Sequence, residues 1–256
     1  MQTVNNSIDL NCDMGESFGS WKMGRDAEIL PLVSSINVAC GFHAGDPATM
    51  FEIVSLADEL DVSIGAHPSY PDLQGFGRRD MNLSPKEVYE AVAYQISALS
   101  GICAIQGTKL RHVKPHGALY NRSARDSAVA NAVATAVLDF DNSLILYGLS
   151  GSLSISEAKE IGLETASEVF ADRTYSSDGS LTPRTETGAL ISKSDLALDQ
   201  VVSIVENGTV TAADGSRVEL ESDTVCIHGD GPHALKFAEA IRSGLDTRGI
   251  EVSSEF

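Results

Sequence analysis

Basic residues are scarce in this chain. Its 256 residues carry 18 Lys and Arg against 36 Asp and Glu, a formal net charge of −18 with an isoelectric point near 4.5. No run of Lys or Arg tracks along any segment, which argues against nucleic acid or an anionic membrane surface as a partner. Cysteine is limited to Cys12, Cys40, Cys103 and Cys226. They lie far apart with no CxxC pair, so buried free thiols are expected rather than disulfides or a zinc knuckle. No stretch of about 18 apolar residues occurs, as a membrane-spanning helix would need. The opening MQTVNNSIDLNCDMGE lacks a basic region followed by an apolar one, and the expected location is the cytoplasm. Several signatures are also missing: GxxxxGK[ST], GxGxxG, a GxSxG elbow (Gly148-Leu149-Ser150-Gly151 has the wrong spacing) and HExxH. A familiar nucleotide loop is therefore not supported.

What is present suits one α/β domain over residues 1–256. Hydrophobic residues make up 43% of the chain, and Gly and Pro together are few, 22 and 8, so there is material for a real core. Apolar runs at 7–11, 35–40, 62–66, 110–114, 144–149, 163–169 and 224–228 read as strands. Runs such as Leu144 to Leu149 are nearly continuous, as strands covered on both faces are. Helical patterns separate most of them. In SPKEVYEAVAYQISALSG, Ser84, Pro85 and Glu87 form a start signal, Val88, Val92, Ile96 and Leu99 share one face, and Gly101 is the expected stop. A second helix starts at Asp46-Pro47 and buries Met50, Ile53, Val54 and Ala57; 126–138 and 232–243 show weaker periodicity. Residues 207–220 alternate about Asp214-Gly215 and read as a small β-hairpin insertion. The sum is a (β/α) barrel of about seven parallel strands.

Active sites of such folds form at the carboxyl ends of the strands. Those ends hold Asn11, Asp13 and Glu16; His43 and Asp46; His67; Lys114 and His116; Asp172 and Arg173; and His228 and Asp230. One mouth lined with titratable groups is expected. Some of these residues have structural readings as well: Asp46 before Pro47 can cap its helix, and His67 before Pro68 can satisfy a turn carbonyl. Asp72 and Arg78-Arg79 lie in a Gly-rich loop with the look of a lid. Lys114, ending an apolar strand, calls for a charge partner or an anionic ligand. Asp13, His43, His67 and His116 are suitable metal-ligand types but form no tight motif.

DLNCDMGESFG (Asp9 to Gly19), NVACGFHAGDP (Asn37 to Pro47), IGAHPSYPDLQGFGRR (Ile64 to Arg79), HVKPHGALYN (His112 to Asn121), EVFADRTY (Glu168 to Tyr175) and IHGD (Ile227 to Asp230) together resemble the LamB/YcsF family. The resemblance implies a distorted (β/α) barrel similar to those of glycoside hydrolases and polysaccharide deacetylases. It also implies a role as the A subunit of an ATP-dependent 5-oxoprolinase, which opens 5-oxoproline to L-glutamate with hydrolysis of ATP and works with subunits B and C. Within that reading Asp13 or His67 is the expected base. Lys114 and Arg79 are expected to hold a carboxylate or phosphate, and Asn11 or His116 to donate to developing charge. Glu16, His43, Asp46, Asp172, Arg173 and His228 would line the substrate site. A metal-dependent deacetylase or amidase is one rival reading, and a non-catalytic substrate-binding subunit is the other.

Overall fold

The computed structural model describes residues 7–227 and 234–255. Among these, ten strands follow in chain order: β1 (Ser7–Met14), β2 (Ser35–Ala39), β3 (Ser63–His67), β4 (His112–Val113), β5 (Ile145–Leu149), β6 (Thr165–Phe170), β7 (Thr209–Thr211), β8 (Arg217–Glu219), β9 (Thr224–Ile227) and β10 (Glu251–Val252). The helices are α1 (Asp26–Ile29), α2 (Pro47–Glu59), α3 (Pro85–Gln106), α4 (Gly117–Ser123), α5 (Ser127–Phe140), α6 (Leu153–Glu160), α7 (Ser194–Asn207) and α8 (Ala234–Thr247). Strands β1, β2, β3, β4, β5, β6 and β9 pair in parallel in that order, and β9 pairs back onto β1. The result is a closed seven-stranded barrel with helices around it. β10 adds to the outer end of β1, and β7–β8 is the antiparallel hairpin expected near Asp214-Gly215.

Two boundaries differ from expectation for a physical reason. β1 runs three residues further, to Met14, because Asn11 to Met14 pair with Ser35 to Val38. Helix α3 passes Gly101 and ends at Gly107, in the left-handed conformation with φ 83°. Gly101 is exposed and disfavours helix by about 1 kcal/mol, but the following turn buries Cys103 against the core, and burial wins. The Ser84–Glu87 capping box forms as its sequence predicts. α3 has the length and composition of a membrane span, yet Val88, Val92, Ile96 and Leu99 are buried in the hydrophobic core.

The inside of the barrel is not the usual stack of branched apolar side chains. Alternate residues of β1, namely Asp9, Asn11 and Asp13, are buried together with Ser35, Asn37, His67, His112, Lys114, Glu168 and Thr224. The intervening Leu10, Cys12 and Met14 belong to the hydrophobic core. Period-2 alternation thus separates a polar lumen from an apolar outer layer. Gly65 lets this lumen close, because a Cβ there would land on the His112 ring.

Candidate active site

The lumen network is organised from the bottom upward. At its base the buried Asp9 carboxylate accepts from Ser34 Oγ (2.7 Å), Ser35 Oγ (2.8 Å), Thr224 Oγ1 (2.6 Å) and Tyr147 Oη (3.1 Å). Burial raises its pKa against the pull of those donors. Asn11 Nδ2 donates to Thr224 Oγ1 and to Glu168 Oε1. Asn37 Nδ2 donates to Asn11 Oδ1 and Asp13 Oδ1, and its own Oδ1 accepts from His112 Nε2 at 2.9 Å. His112 stacks on Tyr147, and burial, helped by Lys114, lowers its pKa to about 3.

Lys114 stands at the centre. Its ammonium lies 2.9 Å from Asp13 Oδ1, 2.7 Å from Glu168 Oε1, 3.1 Å from Asn11 Oδ1 and 3.1 Å from Cys226 Sγ. Burial pulls the lysine pKa down, but the Asp13, Cys226 and Glu168 fields outweigh it and the net shift is upward. The charge partner its sequence position demands is therefore two carboxylates of the protein itself. Lys114 fixes Asp13 through Oδ1, while Oδ2 faces His67 Nε2 at 3.3 Å.

Above Asp13 lies a group of imidazoles. The turn after β2, closed by Gly41 N–H donating to the Ala44 carbonyl, presents His43. His67 ends β3 and His116 begins α4. The 68–79 loop folds over them. Phe76 has φ 54°, unusual for a residue with a side chain, and its carbonyl lies 2.9 Å from His116 Nε2. Gly77, with φ 63°, passes so close that a Cβ would strike Ser69 Oγ and the side chains of His116 and His43. His43 and His116 stack at 3.8 Å, and Phe76 meets both edge-on. Burial and neighbouring histidines push the pKa values of His43 and His116 well below the ordinary value. Glu16 reaches the same group, 3.5 Å from His43 Nε2 and 3.7 Å from His116 Nδ1.

This floor opens into a cavity of about 990 Å³, lined by Asp13, His67, Lys114 and His116 below and by Arg78, Arg125, Arg173 and Arg184 around it. Arg173 is buried, donating to the Thr182 and Ala189 carbonyls, and burial followed by repulsion from Arg184 lowers its pKa to about 10. Guanidinium groups gathered at one mouth of a strongly acidic chain suit a phosphoryl or carboxylate group.

Asn11, Asp13, Glu16, His43, His67, Lys114 and His116 are thus brought together, and Arg173 joins them across the cavity. Asp46 and Arg79 are not. Asp46 caps α2 through Thr49 N–H and also accepts from Gly19 N–H. Arg79 forks onto Asp72 with its side chain 63% exposed, while its neighbour Arg78 lines the cavity. Asp172 is half-buried and does not line the cavity. His228 and Asp230 lie outside the described residues. Lys114 lines the cavity and is engaged by Asp13 and Glu168. In the metal-ligand group Glu16 replaces Asp13: Glu16, His43, His67 and His116 place one ligand atom each within 4.8 Å of one another. Sequence reasoning missed Glu168, Asn37 and His112. Each is a polar residue at an alternate position within an apolar run, and that alternation was the available signal.

Residues 8–255 match the LamB/YcsF family. The chain belongs to that family. Among LamB/YcsF relatives, the A subunit of 5-oxoprolinase from Bacillus subtilis is 56% identical over 247 residues, covering 96% of each chain. The A subunit of 5-oxoprolinase from Bordetella parapertussis is 54% identical over 251 residues, 98% of this chain and 100% of that protein. The crystal structure of the lactam utilization protein from Thermus thermophilus superposes with a TM-score of 0.93 at 46% identity, covering 97% of this chain and 100% of the other.

Proposed function

We propose that this chain is the A subunit of an ATP-dependent 5-oxoprolinase and carries the hydrolytic step that opens the lactam of 5-oxoproline to L-glutamate. The names of its relatives support the substrate. The observation that carries the hydrolytic role is Asp13, pinned by Lys114 through Oδ1 and facing His67 Nε2 through Oδ2, at the floor of the cavity beneath a rim of arginines.

A five-membered lactam is a stable amide with a poor leaving group, so attack by water requires a more electrophilic carbon or stabilisation of charge on its oxygen. Phosphorylation of that oxygen by ATP meets the requirement and yields an imidate phosphate. This chain lacks a phosphate loop, so the phosphorylation is assigned to the partner subunits, B and C. Arg78, Arg173 and Arg184 then hold the phosphoryl or carboxylate group of the activated substrate. Asp13 takes a proton from water as it adds to the carbon. Cleavage of the C–N bond, with the departing nitrogen taking a proton, leaves γ-glutamyl phosphate, and a second water hydrolyses that acyl phosphate to L-glutamate and phosphate.

The test is glutamate release from 5-oxoproline, with ATP present or omitted, by this chain alone and mixed with its partners. Turnover only in the complete ATP-containing mixture is expected. Turnover by the chain alone without ATP overturns the coupled reading. Phosphorylation of the substrate by B and C that depends wholly on this chain overturns the division of labour.

A further inference from the structure

The arrangement of hydrogen bonds around the imidazoles leaves a question that protons alone answer poorly. His67 Nδ1 lies 2.6 Å from the Lys114 carbonyl, and His116 Nε2 lies 2.9 Å from the Phe76 carbonyl. A carbonyl only accepts, so both of these nitrogens carry hydrogen. In neutral rings the other nitrogens, His67 Nε2 and His116 Nδ1, are then lone pairs, and they point at each other across 2.9 Å. Two acceptors at that distance require a cation between or beside them. Asp13 Oδ2 lies 3.3 Å from the same His67 nitrogen.

His43 completes the case. It is 1% exposed, its ring lies flat on His116, and neither of its nitrogens has a hydrogen-bond partner among the described residues. A buried polar group left in that state requires an explanation, an unobserved ion among them. Its Nε2 turns toward Glu16 Oε1.

We propose that Glu16, His43, His67 and His116 form a binding site for a divalent transition metal of the zinc class. Three imidazoles and one carboxylate are a borderline donor set that suits Zn²⁺ rather than Mg²⁺ or Ca²⁺. Bonds of about 2.0–2.1 Å in a tetrahedron separate ligand atoms by about 3.4 Å. The separations here include 2.9 Å for His67–His116, 3.5 Å for Glu16–His43 and 3.7 Å for Glu16–His116. The outer nitrogens of His67 and His116 are already fixed by backbone carbonyls, as the rings of metal-bound histidines usually are. His67 and His116 also line the cavity, so an ion there would be reached from the substrate side and would act as a Lewis acid beside Asp13. The inference rests on ligand geometry and holds whether or not the chain is a 5-oxoprolinase.

The measurement is equilibrium dialysis of the chelator-treated chain against Zn²⁺, with metal analysis, repeated with Co²⁺ and its visible absorption. The expected result is one ion per chain, a Co²⁺ spectrum of nitrogen and oxygen ligation, and at least tenfold weaker binding in Glu16→Gln and His43→Ala. Circular dichroism melts identify any variant that fails to fold, and the near-isosteric Glu16→Gln serves if His43→Ala does. Substoichiometric Zn²⁺ in the wild type, or wild-type affinity in folded Glu16→Gln, overturns the proposal. Neither result depends on glutamate release, so a failure of the hydrolase reading leaves it standing.

Discussion

At the scale of single residues, Lys114 decides whether the floor of the site survives. Removing one member of a buried ion pair typically destabilises by about 3–5 kcal/mol because the other is left uncompensated. Lys114→Met strands Asp13 and Glu168 together. It is expected to lose that much stability as well as turnover. Lys114→Met combined with Glu168→Gln should regain part of the melting temperature and none of the glutamate release. Asp13→Asn keeps the shape of the side chain and removes the proposed base; a drop of at least about 10²-fold in kcat is expected. His112 sets a pH dependence. Its folded pKa of about 3 lies below the unfolded value, so its contribution is intact above about pH 6.5 and is lost as pH falls toward 3, at roughly 1.4 kcal/mol per unit. Burial of His43 and His116 acts in the same sense. Urea midpoints measured from pH 7 to pH 5 should fall, and less steeply in His112→Gln.

At the scale of elements, two start and turn signals do different kinds of work. The capping box at Ser84 and Glu87 is local, and Ser84→Ala should lower stability by about 1 kcal/mol and leave kcat unchanged, as thermal melts and turnover would show. Gly77 is local in conformation but not in consequence. Its left-handed backbone carries the 68–79 loop over the imidazoles, with the Gly77 carbonyl accepting from Ala118 N–H at the start of α4. Gly77→Ala should displace the Phe76 carbonyl from His116 and reduce kcat, while far-ultraviolet circular dichroism stays near that of the wild type. The extension of β1 to Met14 belongs here too. Its pairing with β2 carries Asp13 onto the inward-facing column that Asp9 and Asn11 begin beside β9.

At the scale of the whole molecule, closure of β9 onto β1 makes a polar lumen possible, since Asp9, Asn11 and Lys114 find partners on strands distant in sequence. Asn11 bonds to Glu168, 157 residues away, and to Thr224, 213 away. Charge is also a property at this scale. A chain of net charge −18 repels anions on average, whereas the cavity lining sets Arg78, Arg125, Arg173, Arg184 and Lys114 against Asp13, Asp80, Asp178 and Glu186. Arg78→Ser with Arg184→Ser should raise KM for the complete enzyme at least severalfold, and more so at low salt, where screening is weakest. An unchanged KM at every ionic strength would remove these arginines from substrate capture.

The sequence by itself determined the kind of fold, most strand and helix positions, the capping box, the hairpin and the strand ends from which the polar groups emerge. These follow from short-range periodicity and propensity, which each segment carries independently of the others. Only the tertiary structure decided that Glu16 gathers with the three imidazoles and that Lys114 is held by Asp13 and Glu168. Those outcomes depend on which distant side chains the closed barrel places within about 3 Å of one another. No local pattern encodes a distance across the barrel, because its register is set only when all seven strands have closed.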